Sequence, residues 1–343
     1  LPEKLSGYGY ISGIVTTDNL DGATPAAFFA HQPERGMSKE IWADLPNSKL
    51  TFFSAGSYEL FEKQAPNVQK EIKKEFTIIE EPNDKAIKKS KKLGYLPTKS
   101  KTASVNENRG DFLPSTTQMA IDYLSSRSTN GFFLMVEGGK IDWACHGNDA
   151  ATVFNEVKDM DDAIKVAYEF YKKHPKETLI VVTADHETGG IVLGTGKYAL
   201  NLKALQYQKH SADGLSQRIS ELRKSKGNKV TWEDMKTFLG EEMGFWKQFP
   251  LSWEQEKTLR DEFEKSFVKN KVVFAESMYS KSEPMAARAK EVMDEIAMIG
   301  WVSGGHSAGY VPVFAIGAGS QLFGEKIDNT EIPKRIAKAA GYK

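Results

Sequence analysis

Short apolar runs alternate with amphipathic stretches along most of this chain. Apolar runs lie at 10–16, 51–57, 132–138 and 178–185, and runs of this kind are typical of strands buried on both faces of a sheet. Between the last two runs, apolar residues recur at steps of three and four positions, which predicts an amphipathic helix over 151–173. These positions are Val153, Val157, Met160, Ile164, Ala167 and Phe170. The strand–helix–strand order predicts an α/β fold with a mostly parallel sheet flanked by helices.

The pattern changes in the middle of the chain. Residues 200–295 are charged, helical in character and poor in strand signals, so we interpret them as a helical insertion. The α/β domain is then formed by residues 1–199 and 296–343, where an apolar run at 310–319 predicts that the sheet resumes. Residues 62–101 are rich in lysine and glutamate and are predicted to form a solvated helix and a loop. Three tryptophans are expected to anchor the packing of the insertion: Trp232, Trp246 and Trp253.

Composition excludes several classes of function. The chain has 343 residues, with 46 basic and 46 acidic side chains, so nothing favours nucleic-acid specificity or an anionic membrane as partner. The apolar runs are too short to span a bilayer, and no signal peptide is visible. The single cysteine, Cys145, excludes an internal disulfide and is interpreted as a small packing residue. The first residue is Leu1 rather than Met, which fits either processing or truncation.

Three glycine-rich segments contain most of the candidate metal ligands: VEGGKIDWACH at 136–146, VTADHETGG at 182–190 and SGGHSAGY at 303–310. The donors that they offer are Asp142, His146, Asp185, His186 and His306. Nitrogen and oxygen donors of this kind suit zinc. Asp142 and His146 are four residues apart and would share one face of a helix. Because five donors exceed the needs of one tetrahedral zinc, the set indicates two neighbouring metals.

Four blocks of this sequence resemble those of the bacterial alkaline phosphatases. They are GIVTTDNLDGATPAAFFAHQPER (13–35), FFLMVEGGKIDWACH (132–146), TLIVVTADHETGG (178–190) and SGGHSAGYVPVFAIGAG (303–319). The resemblance implies the alkaline phosphatase-like sandwich fold and hydrolysis of phosphate monoesters through a phosphoserine intermediate. It also implies two zinc ions and one magnesium ion as cofactors.

The resemblance assigns a role to each candidate residue. Asp142, His146 and His306 would hold the first zinc, and Asp185 and His186 the second. Thr24 and Glu137 would hold the magnesium. Arg35 would clamp two phosphate oxygens in the bidentate manner that a guanidinium allows.

The sequence departs from the family pattern in three ways. The family's nucleophilic serine, in an Asp-Ser-Ala motif, and an aspartate that bridges zinc and magnesium lie upstream of the first block, and no Asp-Ser-Ala occurs here. The chain therefore resembles the C-terminal portion of an alkaline phosphatase and is expected to be weakly active or inactive. Gly22 stands where relatives carry Asp or His near the magnesium, and Asp21 is expected to substitute in part. Trp143 stands where relatives have Lys, His or Trp, and tryptophan supplies no cation near phosphate.

The family resemblance also implies partners and a location. The expected ligands are small phosphate monoesters and inorganic phosphate, and the expected state is a homodimer in the periplasm or outside the cell. One alternative is a non-catalytic metal- or phosphate-binding homologue. Another is a phosphodiesterase or mutase of the same superfamily, which the ATPAAF-to-Arg35 block argues against.

Overall fold

A parallel sheet lies at the centre of the fold. The computed structural model describes residues 1–196, 199–227, 229–279 and 281–341. Within these residues, five strands form one sheet in the order β3-β4-β2-β1-β5, and every neighbouring pair runs parallel. The strands are β1 (Ile11–Thr16), β2 (Leu50–Ser54), β3 (Thr77–Ile79), β4 (Leu93–Tyr95) and β5 (Phe132–Glu137). The predicted α/β class with a mostly parallel sheet is confirmed.

Helices cover both faces of this sheet. Successive residues of a strand point to opposite faces. Accordingly Ile14 and Phe53 belong to one buried cluster, whereas Val15 and Phe52 belong to another. The second cluster includes apolar residues of the helix at 112–125. Burial on both faces explains why β1 and β2 contain no charged residue.

The α-helices lie before, between and after the strands. They are α1 (Pro2–Ser6), α2 (Ala23–Ala26), α3 (Ser38–Asp44), α4 (Tyr58–Glu62), α5 (Pro66–Glu75), α6 (Asp84–Lys89), α7 (Phe112–Ser125), α8 (Gly139–His146), α9 (Ala150–Lys173), α10 (Ala212–Ser225), α11 (Trp232–Glu242), α12 (Trp253–Phe263), α13 (Pro284–Ala297) and α14 (Ile332–Ala339). Helix α9 matches the predicted amphipathic helix, although Val157 in its apolar stripe is 48% exposed. None of the described helices is both long enough and apolar enough to cross a membrane.

The other strands form short antiparallel pairs. They are β6 (Leu179–Thr183) with β13 (Val313–Gly317), β7 (Glu187–Thr188) with β12 (His306–Ser307), β8 (Val192–Leu193) with β11 (Ile299–Gly300), and β9 (Ala275–Glu276) with β10 (Lys281–Ser282). The run at 178–185 was expected to join the parallel sheet. In the described part of the chain it pairs with β13 instead, because the order of elements along a chain does not fix which strands meet.

The lysine-rich region 62–101 is more ordered than its composition predicts. Besides helices α5 and α6 it contributes strands β3 and β4, which extend the sheet. These strands are only three residues long, so their apolar pattern is weak. Gly94 in β4 is required by packing, since a Cβ at this position would lie 2.4 Å from the Phe53 ring.

Helices α10 to α13 contribute to a separate hydrophobic core. Trp232 and Trp246 pack against it, as predicted. The prediction for Trp253 is wrong, because this residue is 73% exposed at the first position of α12. The preceding Ser252 caps the helix with its side chain, so the helix start does not depend on burial of Trp253.

Candidate metal centre

Three local structures bring the predicted donors together. Helix α8 begins just after β5 and carries Asp142 and His146 on one face. The turn between β6 and β7 carries Asp185 and His186. Strand β12 begins with His306, which lies opposite Thr188 of β7 in an antiparallel pair. The β7–β12 ladder therefore aligns the second and third glycine-rich segments.

The donor atoms of all five residues lie within a few ångströms of another member of the set. One ligand atom from each of Asp142, His186 and His306 lies within 4.8 Å of the others. His146 Nε2 lies 3.1 Å from His306 Nε2 and 3.5 Å from Asp142 Oδ1. His186 Nε2 lies 3.4 Å from Asp185 Oδ2. The structure thus gathers every residue that the sequence proposes as a zinc ligand.

The His146 ring is oriented for metal binding. Its side chain is fully buried, and its Nδ1 lies 2.7 Å from the Gly304 carbonyl oxygen. A carbonyl can only accept, so Nδ1 carries the ring proton. Nε2, on the other side of the ring, faces His306 Nε2 and Asp142 Oδ1. Anchoring of one ring nitrogen by a backbone carbonyl is the usual arrangement for a metal-ligating histidine.

A hydrogen bond with Thr188 orients the His186 ring. The Thr188 hydroxyl donates to Asp142 Oδ1 over 2.6 Å and lies 3.2 Å from His186 Nδ1. Because its hydrogen is used on Asp142, this hydroxyl accepts from Nδ1. The other ring nitrogen of His186, Nε2, faces Asp185 Oδ2. An imidazole nitrogen and a carboxylate oxygen side by side are donors of the kind that zinc binds.

Glu137 lies at the carboxyl end of β5, beside the end of β1. Thr16, its register partner, donates to Glu137 Oε2 over 2.5 Å, and the Thr24 hydroxyl also hydrogen-bonds the carboxylate. Burial is the main cause that raises the pKa of Glu137 to about 7, and the charges of Asp18 and Asp185 add to it. The Glu137 carboxylate and the two threonine hydroxyls that bond to it are oxygen donors of the kind that magnesium prefers.

Asp18 was not predicted, and it occupies the space above Gly22. A Cβ on Gly22 would lie 2.6 Å from Asp18 Oδ2. Asp21, the substitute proposed from the sequence, instead accepts a hydrogen bond from Ser38. Burial raises the pKa of Asp18, as expected for a carboxylate with little solvent around it. Its position in the sequence could have indicated Asp18, because it follows β1, and β1 lies next to the strand that ends at Glu137.

Lys140 is a second residue that the sequence did not reveal. Its ammonium lies 3.1 Å from the centre of the Trp143 ring, a cation–π contact. Burial lowers the pKa of Lys140 to about 8, while the opposite charge of Asp18 acts to raise it. The site therefore has a cation beside Trp143, although Trp143 itself supplies none.

Arg35 lies at the edge of this cluster. Its Nη2 donates to the Tyr279 hydroxyl over 2.8 Å. The Tyr279 ring stacks on Trp143 and meets the His146 ring edge to face. Tyr279 comes from the region between α12 and α13, where no sequence motif indicated a functional role.

Comparison with known proteins decides the family. The alkaline phosphatase family profile matches residues 103–342. The chain belongs to the alkaline phosphatase family. It is 30% identical to alkaline phosphatase 3 of Bacillus subtilis, over 97% of this chain and 69% of that protein. Members of this family are phosphoric monoester hydrolases.

Solved alkaline phosphatases share the fold. The cold-active enzyme of a psychrophilic Shewanella is 26% identical, with a TM-score of 0.78 over 99% of this chain and 77% of that one. A variant of the TAB5 alkaline phosphatase, with Mg bound in its M3 site, is 27% identical. Its TM-score is 0.65 over 100% of this chain and 75% of that one.

Cys145 packs in a small apolar cluster with Ala144 and Val153. The residue is buried, and burial together with Asp142 and Glu187 raises the pKa of its thiol to about 12. This apolar environment is in keeping with the predicted packing role of Cys145.

Proposed function

We propose that this chain provides the metal and phosphate site of a zinc-dependent alkaline phosphatase with broad specificity for phosphate monoesters. The supporting observation is the convergence of Asp142, His146, Asp185, His186 and His306 from three distant segments, with two histidines oriented by Gly304 and Thr188. The second ring nitrogens of these histidines lie 3.5 Å from Asp142 Oδ1 and 3.4 Å from Asp185 Oδ2, the carboxylates assigned to the same metals.

The donors divide into three metal positions. Asp142, His146 and His306 would hold one zinc, and Asp185 and His186 the other. Glu137 and Thr24 would hold a magnesium, with Asp18 as an additional oxygen donor beside Gly22. When bound, the metals would neutralise charge on the phosphoryl group and activate the attacking oxygen.

The protein's own residues bind and orient the phosphoryl group. The Arg35 guanidinium would grip two phosphate oxygens with paired N–H groups. Lys140, close to Asp18 and Trp143, adds positive charge to the site. These residues bind phosphate before and after the reaction, so inorganic phosphate should compete with the substrate.

Turnover through a phosphoserine needs a serine that these 343 residues do not supply in an Asp-Ser-Ala motif. We therefore expect zinc and phosphate binding by this chain with little or no hydrolysis. By family membership we also propose a homodimer in the periplasm or outside the cell.

Zinc titration of the metal-free chain tests the metal site. We expect about two zinc ions per chain, with strong loss of binding in His306→Ala and His146→Ala. His174→Ala is the matched control, because His174 is an exposed residue beyond the end of α9. Absence of zinc binding, or equal loss in the control, would contradict the proposal.

Hydrolysis of p-nitrophenyl phosphate by the zinc-loaded chain tests the reaction. Zinc-dependent turnover by the 343-residue chain would show that the predicted inactivity is wrong. If the protein isolated from its natural source binds zinc and phosphate without any turnover, the non-catalytic alternative replaces the enzyme proposal.

A further inference from the structure

We infer that Tyr279 is a positioning residue, which holds Arg35 at the rim of the metal cluster in readiness for a phosphate group. The inference rests on the proposed function, because it assumes that Arg35 contacts the phosphoryl oxygens. It concerns a residue outside the four sequence blocks that resemble alkaline phosphatases, and it gives one loop between α12 and α13 a role at the site.

The Tyr279 ring is fixed by residues of the metal-bearing helix. It stacks on Trp143 with ring centres 5.2 Å apart and an angle of 9° between the planes. Its contact with His146 is nearly perpendicular, at 5.1 Å and 70°. Both geometries are favourable for aromatic pairs. Because Trp143 and His146 belong to α8, the position of Tyr279 is tied to the helix that also carries Asp142.

The Tyr279 hydroxyl then fixes the guanidinium. Arg35 is exposed, and a free arginine side chain on a surface populates many rotamers, which must be given up when phosphate binds. The hydrogen bond to Tyr279 uses one N–H of Nη2. A guanidinium has five N–H groups, so enough remain for a bidentate grip on phosphate. Tyr279 thus orders Arg35 in advance without competing for the anion.

The effect of this preorganisation on phosphate affinity can be measured. Holding one long side chain in place changes affinity by about 2- to 10-fold. Tyr279→Phe removes only the hydroxyl and retains the ring that stacks on Trp143. It should weaken phosphate binding by about that factor and leave zinc binding unchanged.

The test measures inorganic phosphate binding to the zinc-loaded chain by calorimetry. The variants are Tyr279→Phe, Arg35→Gln and the two combined, and Tyr168→Phe is the control, since Tyr168 is an exposed tyrosine of α9 that stacks on Tyr171. We expect Tyr279→Phe to weaken binding in the presence of Arg35 and to have no further effect in the Arg35→Gln background. A merely structural role would produce the same change in both backgrounds.

The outcomes separate the inference from the proposed function. If Arg35→Gln weakens phosphate binding and Tyr279→Phe does not, the inference is overturned and the proposed function stands. The same holds if Tyr279→Phe weakens binding equally in both backgrounds. If the zinc-loaded wild-type chain does not bind phosphate, the proposed function fails, and the inference fails with it.

Discussion

Asp294 offers a sharp test of the electrostatics of this protein. It lies on α13 and is 5% exposed, and its Oδ2 accepts a hydrogen bond of 2.8 Å from the Trp301 indole. Burial is the main cause that raises the pKa of Asp294 from 3.8 to about 8, and the nearby Asp149 carboxylate adds to it. The Lys290 ammonium offsets part of the effect.

The raised pKa sets the sign of the pH dependence. The native state keeps the Asp294 proton up to about pH 8, whereas the unfolded chain loses it near pH 3.8. Native protein therefore binds more protons across this window, so the contribution of Asp294 to stability is complete below the window and is lost as pH rises through it. At ~1.36 kcal/mol per pH unit, the loss between about pH 5 and about pH 8 is on the order of 4 kcal/mol.

Asp294→Asn should remove this dependence. The amide has nearly the same shape, its oxygen can still accept from Trp301, and it does not ionise. In urea unfolding of the metal-free chain, we expect the free energy of unfolding of the variant relative to wild type to rise by about 2–4 kcal/mol over that pH range. Asp261→Asn, at an exposed position on α12, is the control. A difference that stays constant between pH 5 and pH 8 would refute the reasoning.

Two further predictions concern buried charge and the magnesium position. Arg109 is fully buried and lies 2.6 Å from both Glu156 and Asp159, so Arg109→Ala should lower the free energy of unfolding by about 3–5 kcal/mol. Urea unfolding at neutral pH measures this, and a loss below about 1 kcal/mol would contradict it. Asp18→Asn should weaken magnesium binding to the zinc-loaded chain by about tenfold or more, whereas Asp21→Asn should change it less than about twofold. Equal effects in a magnesium titration would contradict the proposed role of Asp18.

The sequence predicts the parallel sheet well where strands are buried on both faces. The runs that contain Ile14 and Phe53 carry no charged residue, because helices cover each side of them. Strands β3 and β4 are not predicted, because a strand of three residues is too short to show a pattern of apolar residues. The pairing of β6 is also not predicted, since its antiparallel partner β13 is a segment more than a hundred residues away in the sequence.

Prediction of the site follows a similar division. Donors such as Asp142 and His146 are visible because a helix repeats every 3.6 residues and places them on one face. Roles for Tyr279 and Lys140 cannot be predicted from the sequence pattern, because each depends on a contact in the folded structure. For Tyr279 that neighbour is Arg35, from the opposite end of the chain.

Gly22 and Trp143, the two positions that depart from the family pattern, each lie against a charged side chain. The resemblance implies that Gly22 supplies no carboxylate near the magnesium and that Trp143 supplies no cation near the phosphate. The Asp18 carboxylate fills the volume over Gly22, and the Lys140 ammonium lies on the Trp143 ring. Their opposite charges interact, so neither is an isolated buried ion. We therefore propose that Asp18 and Lys140 supply the charges that Gly22 and Trp143 do not.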